Sequence, residues 1–161
     1  MLEIVTFQNE YRDAVVNVIL PIQQEEFNIP ISLEGQPDLL DVASFYQSGH
    51  GNFWVAKIDD KVVGTVGLLD IGNGQAALRK MFVKSEYRGS TLKVAYNLLK
   101  TLVEWCLSEK VETIFLGTTA KFLAAHRFYE KNGFREVSKD QLPSTFPIMA
   151  VDTKFYQRLV K

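Results

Sequence analysis

The sequence predicts an α+β fold in which helices flank a central mixed, mostly antiparallel sheet. Three observations support this: runs rich in aromatic and β-branched residues at 53–58 and 61–69, a hairpin signal at Asn73-Gly74, and apolar residues at helical spacing between 92 and 106. Consecutive antiparallel strands do not suit a doubly wound parallel sheet. A nucleotide-binding protein of that class is therefore the weaker interpretation.

The first half of the chain should supply the antiparallel part of the sheet. Asn73 and Gly74 both tolerate positive φ, so the strand after them should run antiparallel to the strand before them. Pro21 should kink or break the first helix, and Pro37 can open the second. We expect strands at 2–7, 53–58, 61–69 and 75–83, a helix at 11–27, and a second helix at 37–45.

The second half should alternate helices and strands. Ser90 or Thr91 can cap the start of its best helix. After a strand at 111–116, another helix should end at Gly133, because glycine fits the left-handed position just past a helix end. The last strands are expected at 134–137 and 148–155. The apolar face of the best helix comprises Leu92, Ala95, Leu99, Leu102, Val103 and Cys106.

Composition and charge limit the class of protein. The 161 residues suit a single domain over 1–161, and 47% hydrophobic with 23% charged residues is ordinary for a globular chain. A formal net charge of -1 argues against a general nucleic-acid binder, which is usually basic.

Cysteine content and apolar runs suggest where the protein works. Cys106 is the only cysteine, so no disulfide can form within the chain, and a reducing, cytoplasmic location is expected. The first residues lack the basic and apolar regions of a signal peptide, and no apolar run reaches membrane-spanning length. We therefore expect no membrane partner, and a monomer or a homodimer.

Two segments carry the chemistry. The segment from Arg79 to Lys93 contains five basic residues and one acid, Glu86. In this segment a strand leads through an Arg-Gly turn into a helix. Helix starts present unpaired N–H groups that suit phosphate, although a solvated basic loop explains this segment equally well. The second segment runs from Ala125 to Phe134. By itself it indicates an amphipathic helix with a glycine stop and a packing tyrosine.

Taken together and in this order, the two segments resemble the GNAT superfamily of N-acetyltransferases. The first is similar to the pyrophosphate-binding motif of that family. The second is similar to its closing pattern A-x-x-[LF]-Y-E-K-x-G-F, which Ala125 to Phe134 matches at every fixed place. The order of strands and helices agrees along the whole chain. The resemblance implies that acetyl-CoA is the cosubstrate and that a primary amine accepts the acetyl group.

The phosphate motif departs from the family pattern R/Q-x-x-G-x-G/A. Aligned without a gap from Arg88, Thr91 and Lys93 replace the two glycines; alternatively, Lys93-Val94-Ala95 matches the family's Gly-Val-Ala after a two-residue insertion. Backbone amides, hydroxyls and the charges of Arg88 and Lys93 can compensate for a missing glycine. The resemblance implies cofactor contacts at Met81, Phe82, Val83, Arg88, Gly89, Ser90, Thr91, Lys93, Val94, Ala95 and Ala125.

Catalytic roles follow from the same resemblance. Tyr129 matches the family's general acid, and a phenol with a pKa of about 10 is protonated at neutral pH, so it can donate to a leaving thiolate. Backbone N–H groups at a bulge around Met81 to Val83 should stabilise the oxyanion.

The residue that takes the proton of the acceptor amine is less defined. Its candidates are Glu25 and Glu26, with Asp70 by rough location, whereas His126 should point away from the cofactor.

The leading interpretation is an acetyl-CoA-dependent N-acetyltransferase that acts on a small amine or an amino-acid-like acceptor. Residues 23–41 carry five acids and no Lys or Arg, which would attract a cationic acceptor. The alternative is a catalytically weak or inactive module of the same fold that binds acyl-CoA or a protein partner. The altered phosphate motif and the lack of a carboxylate on the fourth strand favour this alternative, and Tyr129 opposes it. No metal site is expected.

Overall fold

A seven-stranded sheet forms the centre of the molecule. The computed structural model describes residues 1–89 and 91–160. The strands lie in the spatial order β1-β2-β3-β4-β5-β7-β6, and all neighbours are antiparallel except β4 and β5. This arrangement agrees with the predicted α+β fold. The strands are β1 (Leu2–Thr6), β2 (Asn52–Ile58), β3 (Lys61–Gly72), β4 (Gln75–Val83), β5 (Thr113–Thr118), β6 (Arg135–Val137) and β7 (Lys154–Leu159).

Helices cover both faces of this sheet. On β2, Phe53 and Val55 face the cluster that contains α1, while Trp54 and Ala56 face the cluster that contains α4. This alternation is the period of two that a strand imposes on its side chains. The helices are α1 (Arg12–Pro21), α2 (Pro37–Leu40), α3 (Val42–Tyr46), α4 (Val94–Ser108) and α5 (Leu123–Lys131).

Proline and glycine set the ends of the helices that border the site. Pro21 ends α1, and the chain continues as a π-helical turn over Ile22–Glu26. A proline lacks the N–H that a continuing helix needs, so the predicted break at Pro21 is confirmed. At the end of α5, Gly133 takes φ +89°, and the N–H of Phe134 donates to the Tyr129 carbonyl at 3.0 Å. The predicted glycine stop is confirmed.

Several details of the predicted elements are wrong. The helix predicted at 37–45 is divided at Asp41 into α2 and α3, and the strand predicted at 111–116 is β5 (Thr113–Thr118). The last strand begins at Lys154 rather than at 148, because Met149 to Asp152 form a turn in which the Asp152 N–H donates to the Met149 carbonyl at 3.0 Å. Helix α4 begins only at Val94, so Thr91 does not cap it, and Leu92 is 41% exposed instead of buried. Ser90, the other predicted cap, lies outside the described residues.

Candidate active site

A cleft opens where β4 and β5 diverge. The two strands pair in parallel only between Gln75–Ala77 and Thr113–Phe115. Beyond that point they separate, and a cavity of about 880 Å³ lies between them. In addition to these two strands, the starts of α4 and α5 line the cavity. This leaves one backbone edge of β4 facing the cavity from Leu78 onward.

Most of the predicted cofactor residues line this cavity. Thr91 is not among the lining residues, and Ser90 lies outside the part of the chain that the structure describes. Tyr129, the predicted acid, lines the same cavity. Residues that are far apart in the sequence are thus brought together. The predicted cofactor residues that line it are Met81, Phe82, Val83, Arg88, Gly89, Lys93, Val94, Ala95 and Ala125.

A bulge distorts β4 where it borders the cavity. Its pairing with β3 shifts between Thr65 and Gly67, and Lys80 adopts φ +56°. The Thr65 hydroxyl donates to the Lys80 carbonyl at 2.7 Å and holds this conformation. The bulge therefore lies just before Met81, close to where the resemblance predicted it.

The bulge brings two successive cations onto one carboxylate. Side chains of neighbouring strand residues normally point to opposite faces, yet Lys80 Nζ lies 3.6 Å and Arg79 Nη2 lies 4.0 Å from Asp38 Oδ2. The same oxygen accepts a 2.6 Å hydrogen bond from the Tyr46 hydroxyl. Burial lowers the pKa of Lys80 and raises the pKa of Tyr46. Arg79 and Lys80 line the cavity, with Asp38 behind them.

The chain takes a left-handed conformation just before α4, at the predicted phosphate site. Lys93 is the residue before the helix, and its φ of +54° is a left-handed conformation that glycine adopts at low cost. This agrees with the alignment in which Lys93-Val94-Ala95 takes the place of the family's Gly-Val-Ala. The first N–H groups of this 15-residue helix border the cavity.

Arg88 is held by two partners at this end of the cavity. Its Nε donates to the Val83 carbonyl at 2.8 Å, and its Nη2 donates to Glu26 Oε1 at 2.7 Å, with Nη1 on the other carboxylate oxygen. The hydrogen bond from Arg88 lowers the pKa of Glu26. Glu26 is therefore a poorer proton acceptor than a free glutamate.

Tyr129 presents a protonated phenol to the cavity. Its ring packs against Phe134 and Tyr156 with centroids 5.4 and 6.0 Å away, and only 5% of the residue is exposed. Burial raises the pKa of Tyr129 well above its ordinary value of 10. Among the described residues, none hydrogen-bonds its hydroxyl. The hydroxyl is thus available to a bound molecule.

The other predicted base candidates lie away from the cavity lining. Glu25 is exposed on the π-helical turn. Asp70 accepts the N–H groups of His50 and Gly72 at 2.9 Å each, near the far end of β3. His126 is buried, with Nε2 3.0 Å from the Thr119 carbonyl, and it does not line the cavity, in agreement with its predicted orientation.

Asp152 is the carboxylate that sequence reasoning missed. It lines the cavity from the turn before β7, and its Oδ2 accepts the Met149 N–H at 3.0 Å. A Cβ on Gly117 of β5 would come within 2.6 Å of that oxygen, so glycine allows this close approach. Burial raises the pKa of Asp152, and the charges of Arg79 and Lys80 partly oppose this. The sequence did not indicate this position of Asp152, because residues 148–155 have the pattern of a strand.

Aromatic contacts bridge the cleft. Phe27, after the π-helical turn, packs edge-on against Phe122 with centroids 4.7 Å apart, and Phe122 approaches Phe82 of β4 at 6.2 Å. The Lys121 ammonium donates to the carbonyls of Phe27 and Asn28 at 3.2 and 3.3 Å. These contacts tie the segment after α1 to the start of α5.

Neither a metal-ligand cluster nor a membrane-spanning helix is found within residues 1–89 and 91–160. No group of three His, Cys, Asp or Glu side chains in these ranges is placed to hold a metal ion. None of the helices there is long and apolar enough to cross a membrane.

Comparison with known proteins identifies the relatives of the chain. Residues 16–134 match the model of the acetyltransferase (GNAT) family. The crystal structure of a GNAT-family acetyltransferase from Staphylococcus aureus Mu50 is 40% identical over the full length of both chains, with a TM-score of 0.96. An acetyltransferase structure from Streptococcus agalactiae 2603 is 29% identical over 98% of each chain, with a TM-score of 0.93.

A longer relative has a more specific name. N-acetylaspartate synthetase of Xenopus tropicalis is 38% identical over 104 residues, which are 62% of this chain. The match spans only 37% of that relative's length. The predicted family and fold are confirmed by these comparisons.

Proposed function

The chain belongs to the acetyltransferase (GNAT) family, and on that basis we propose that it transfers an acetyl group from acetyl-CoA to a primary amine of a small, amino-acid-like acceptor. One observation carries this proposal. A single cavity joins the start of α4 to the unpaired edge of β4, the Tyr129 phenol and the Asp152 carboxylate. These are the parts that phosphate binding, thioester binding and two proton transfers need.

The cosubstrate would lie along the β4 edge. Backbone N–H and C=O groups beyond Ala77 have no partner strand in β5 and can pair with the amide groups of a pantetheine arm, as an added strand would. The phosphates would reach the first turn of α4, next to Lys93 and Arg88. Ala125, with its small side chain, leaves room beside the thioester.

The chemical step is a direct attack. The acceptor nitrogen forms a bond to the thioester carbonyl carbon, and the oxygen gains charge that N–H groups from Met81 to Val83 can stabilise. The C–S bond then breaks, and the thiolate takes the proton of the Tyr129 hydroxyl. The proton lost by the nitrogen passes to a base, and its later transfer through solvent to the Tyr129 phenolate restores the enzyme. The products are an N-acetyl amine and coenzyme A.

We propose Asp152 as this base in place of Glu25 and Glu26. Its raised pKa makes it a better proton acceptor near neutral pH than an ordinary aspartate, and it lines the cavity. The carboxylate of Glu26 is occupied by Arg88, and Glu25 does not line the cavity. An amine with a pKa of about 10.4 costs roughly 4–5 kcal/mol to deprotonate at pH 7, so a positioned base matters.

A thiol-release assay tests the proposal. Purified protein, acetyl-CoA and a panel of primary amines that includes the standard amino acids other than proline should release free coenzyme A, with an acetylated product detected by mass spectrometry. Release that exceeds the acceptor-free rate for at least one amine supports acetyl transfer. Tight acetyl-CoA binding without turnover on any amine would contradict it and favour the alternative, a non-catalytic module that binds acyl-CoA.

A further inference from the structure

The cavity carries a second polar feature that acetyl transfer itself does not use. Arg79 and Lys80 both line it, and their side chains are only 12% and 8% exposed. Charged side chains this deeply buried need partners, since burying an uncompensated charge is costly. Besides having polar partners, Arg79 places its guanidinium carbon 5.6 Å from the centre of the Phe45 ring.

The two cations are only partly satisfied. Among the described residues, Asp38 is the only carboxylate within 4.0 Å of either cation. Its Oδ2 already accepts a hydrogen bond from the Tyr46 hydroxyl. Lys80 Nζ also donates to Gln36 Oε1. In the described part of the chain, the only hydrogen bond of the Arg79 guanidinium goes to the Met149 sulfur at 3.4 Å, a weak acceptor. Arg79, Lys80 and Asp38 together keep one positive charge, which the nearby Asp152 carboxylate partly offsets, and the Arg79 guanidinium has N–H donors without an acceptor among the described residues.

The backbone is distorted in a way that creates this cluster. Lys80 holds a left-handed φ of +56°, a conformation that is unfavourable for a residue other than glycine. Without that bulge, the side chains of residues 79 and 80 would point to opposite faces of β4. The bulge that borders the N–H groups from Met81 to Val83 thus also places these two cations side by side at the cavity wall.

We propose that Arg79 and Lys80 bind a carboxylate of the acceptor, so that the acceptor is an amino acid and not a simple amine. A guanidinium and an ammonium side by side suit a carboxylate, which can accept from both at once. Asp152 lines the same cavity and can receive the ammonium end of the amino acid. The inference rests on the proposed function and names its class of substrate.

The first test compares matched acceptors with the unaltered protein. An amino acid from the panel, its carboxamide and the corresponding decarboxylated amine differ only at the group that Arg79 and Lys80 would bind. Carboxylate recognition predicts that kcat/KM for the acid exceeds that of the other two by about tenfold to a hundredfold. Equal or better use of the carboxamide or the amine overturns the proposal and leaves acetyl transfer standing.

The second test uses variants. Arg79→Gln and Lys80→Gln should each raise KM for the acid by about tenfold or more, while kcat, the KM for acetyl-CoA and the KM for the carboxamide change little. Arg135→Gln removes an exposed charge on β6 and is the matched control. If one variant melts below the assay temperature, the other decides the question. Unchanged KM for the acid in a folded variant contradicts the proposed contact.

A binding measurement separates the two proposals. Calorimetry with protein saturated with coenzyme A should detect the amino acid and show its loss in Arg79→Gln. Protein that binds acetyl-CoA but neither binds nor acetylates any amino acid of the panel overturns the carboxylate site alone. Protein that does not bind acetyl-CoA overturns the proposed function. Amino-acid binding to the free protein, if lost in Arg79→Gln, would then still support the carboxylate site.

Discussion

Tyr129→Phe removes one oxygen atom from the proposed acid and should separate catalysis from stability. The Tyr129 ring is buried among aromatic neighbours, and no described residue hydrogen-bonds its hydroxyl. Phenylalanine keeps the ring contacts, and no hydrogen bond to a described residue is lost. The free energy of unfolding in urea should therefore change by less than about 0.5 kcal/mol.

The effect on turnover should be large. A positioned acid contributes about 10²- to 10⁴-fold to the rate of a step in which it transfers a proton. Since the raised pKa of Tyr129 keeps its phenol protonated through neutral pH, Tyr129→Phe should lower kcat by about 10²-fold or more. Acetyl-CoA affinity, measured by calorimetry, should remain within about twofold.

Tyr156→Phe is the matched control. Tyr156 lies beside Tyr129 in the same aromatic cluster, but it does not line the cavity, and its hydroxyl donates to Glu130 Oε2 at 2.7 Å. Loss of that hydrogen bond should cost about 1 kcal/mol, which lowers Tm by about 2–4 °C in a chain of this size. Turnover should change little.

The two variants should thus show opposite patterns. A Tyr129→Phe protein with full turnover would refute the assignment of the acid. A protein that lost stability and activity together would indicate a packing role for the ring and its hydroxyl.

Three further predictions concern the ends of the cavity. Glu26→Gln should raise acetyl-CoA affinity by up to about fivefold in calorimetry, because the phosphates would no longer compete with a half-exposed ion pair for Arg88; weaker binding would contradict this. Lys93→Gly should be about 1 kcal/mol more stable in urea than Lys93→Ala, because glycine relieves the left-handed conformation, and equal stabilities would contradict the strain. Burial raises the Asp152 pKa above its ordinary 3.8, so its carboxylate destabilises the fold increasingly as pH rises through that raised value. Asp152→Asn should accordingly gain stability relative to wild type at pH 7 but not at about pH 3, while kcat falls and the acidic limb of the pH–rate profile disappears; a retained limb would exclude Asp152 as the base.

Local chemistry explains why much of the fold could be predicted. Strand β4 has the predicted bounds because Asn73 and Gly74 both take positive φ, +57° and +71°, and form the turn that fixes the hairpin. Gly133 likewise ends α5 where the sequence indicates. In each case the signal and the structure it specifies lie within a few residues of each other.

The features that sequence reasoning missed depend on distant parts of the chain. Lys80 adopts its left-handed conformation with support from Thr65 on the neighbouring strand, so residues 79 and 80 alone give no sign of it. Asp152 reaches the cavity because Gly117 on β5 leaves space for its carboxylate. An apolar run at 148–151 imitates a strand, but its turn places Ile148 and Val151 on the surface instead.

Acetyl-CoA affinity tests the central claim most directly. The account predicts saturable binding in calorimetry, with a stabilisation of about 2.7 kcal/mol when the ligand is present at ~100 times its dissociation constant. Such binding would mean that the altered loop before α4 still holds phosphates. No heat and no shift in Tm at millimolar acetyl-CoA would contradict the account, because every proposed catalytic step begins with that ligand in the cleft.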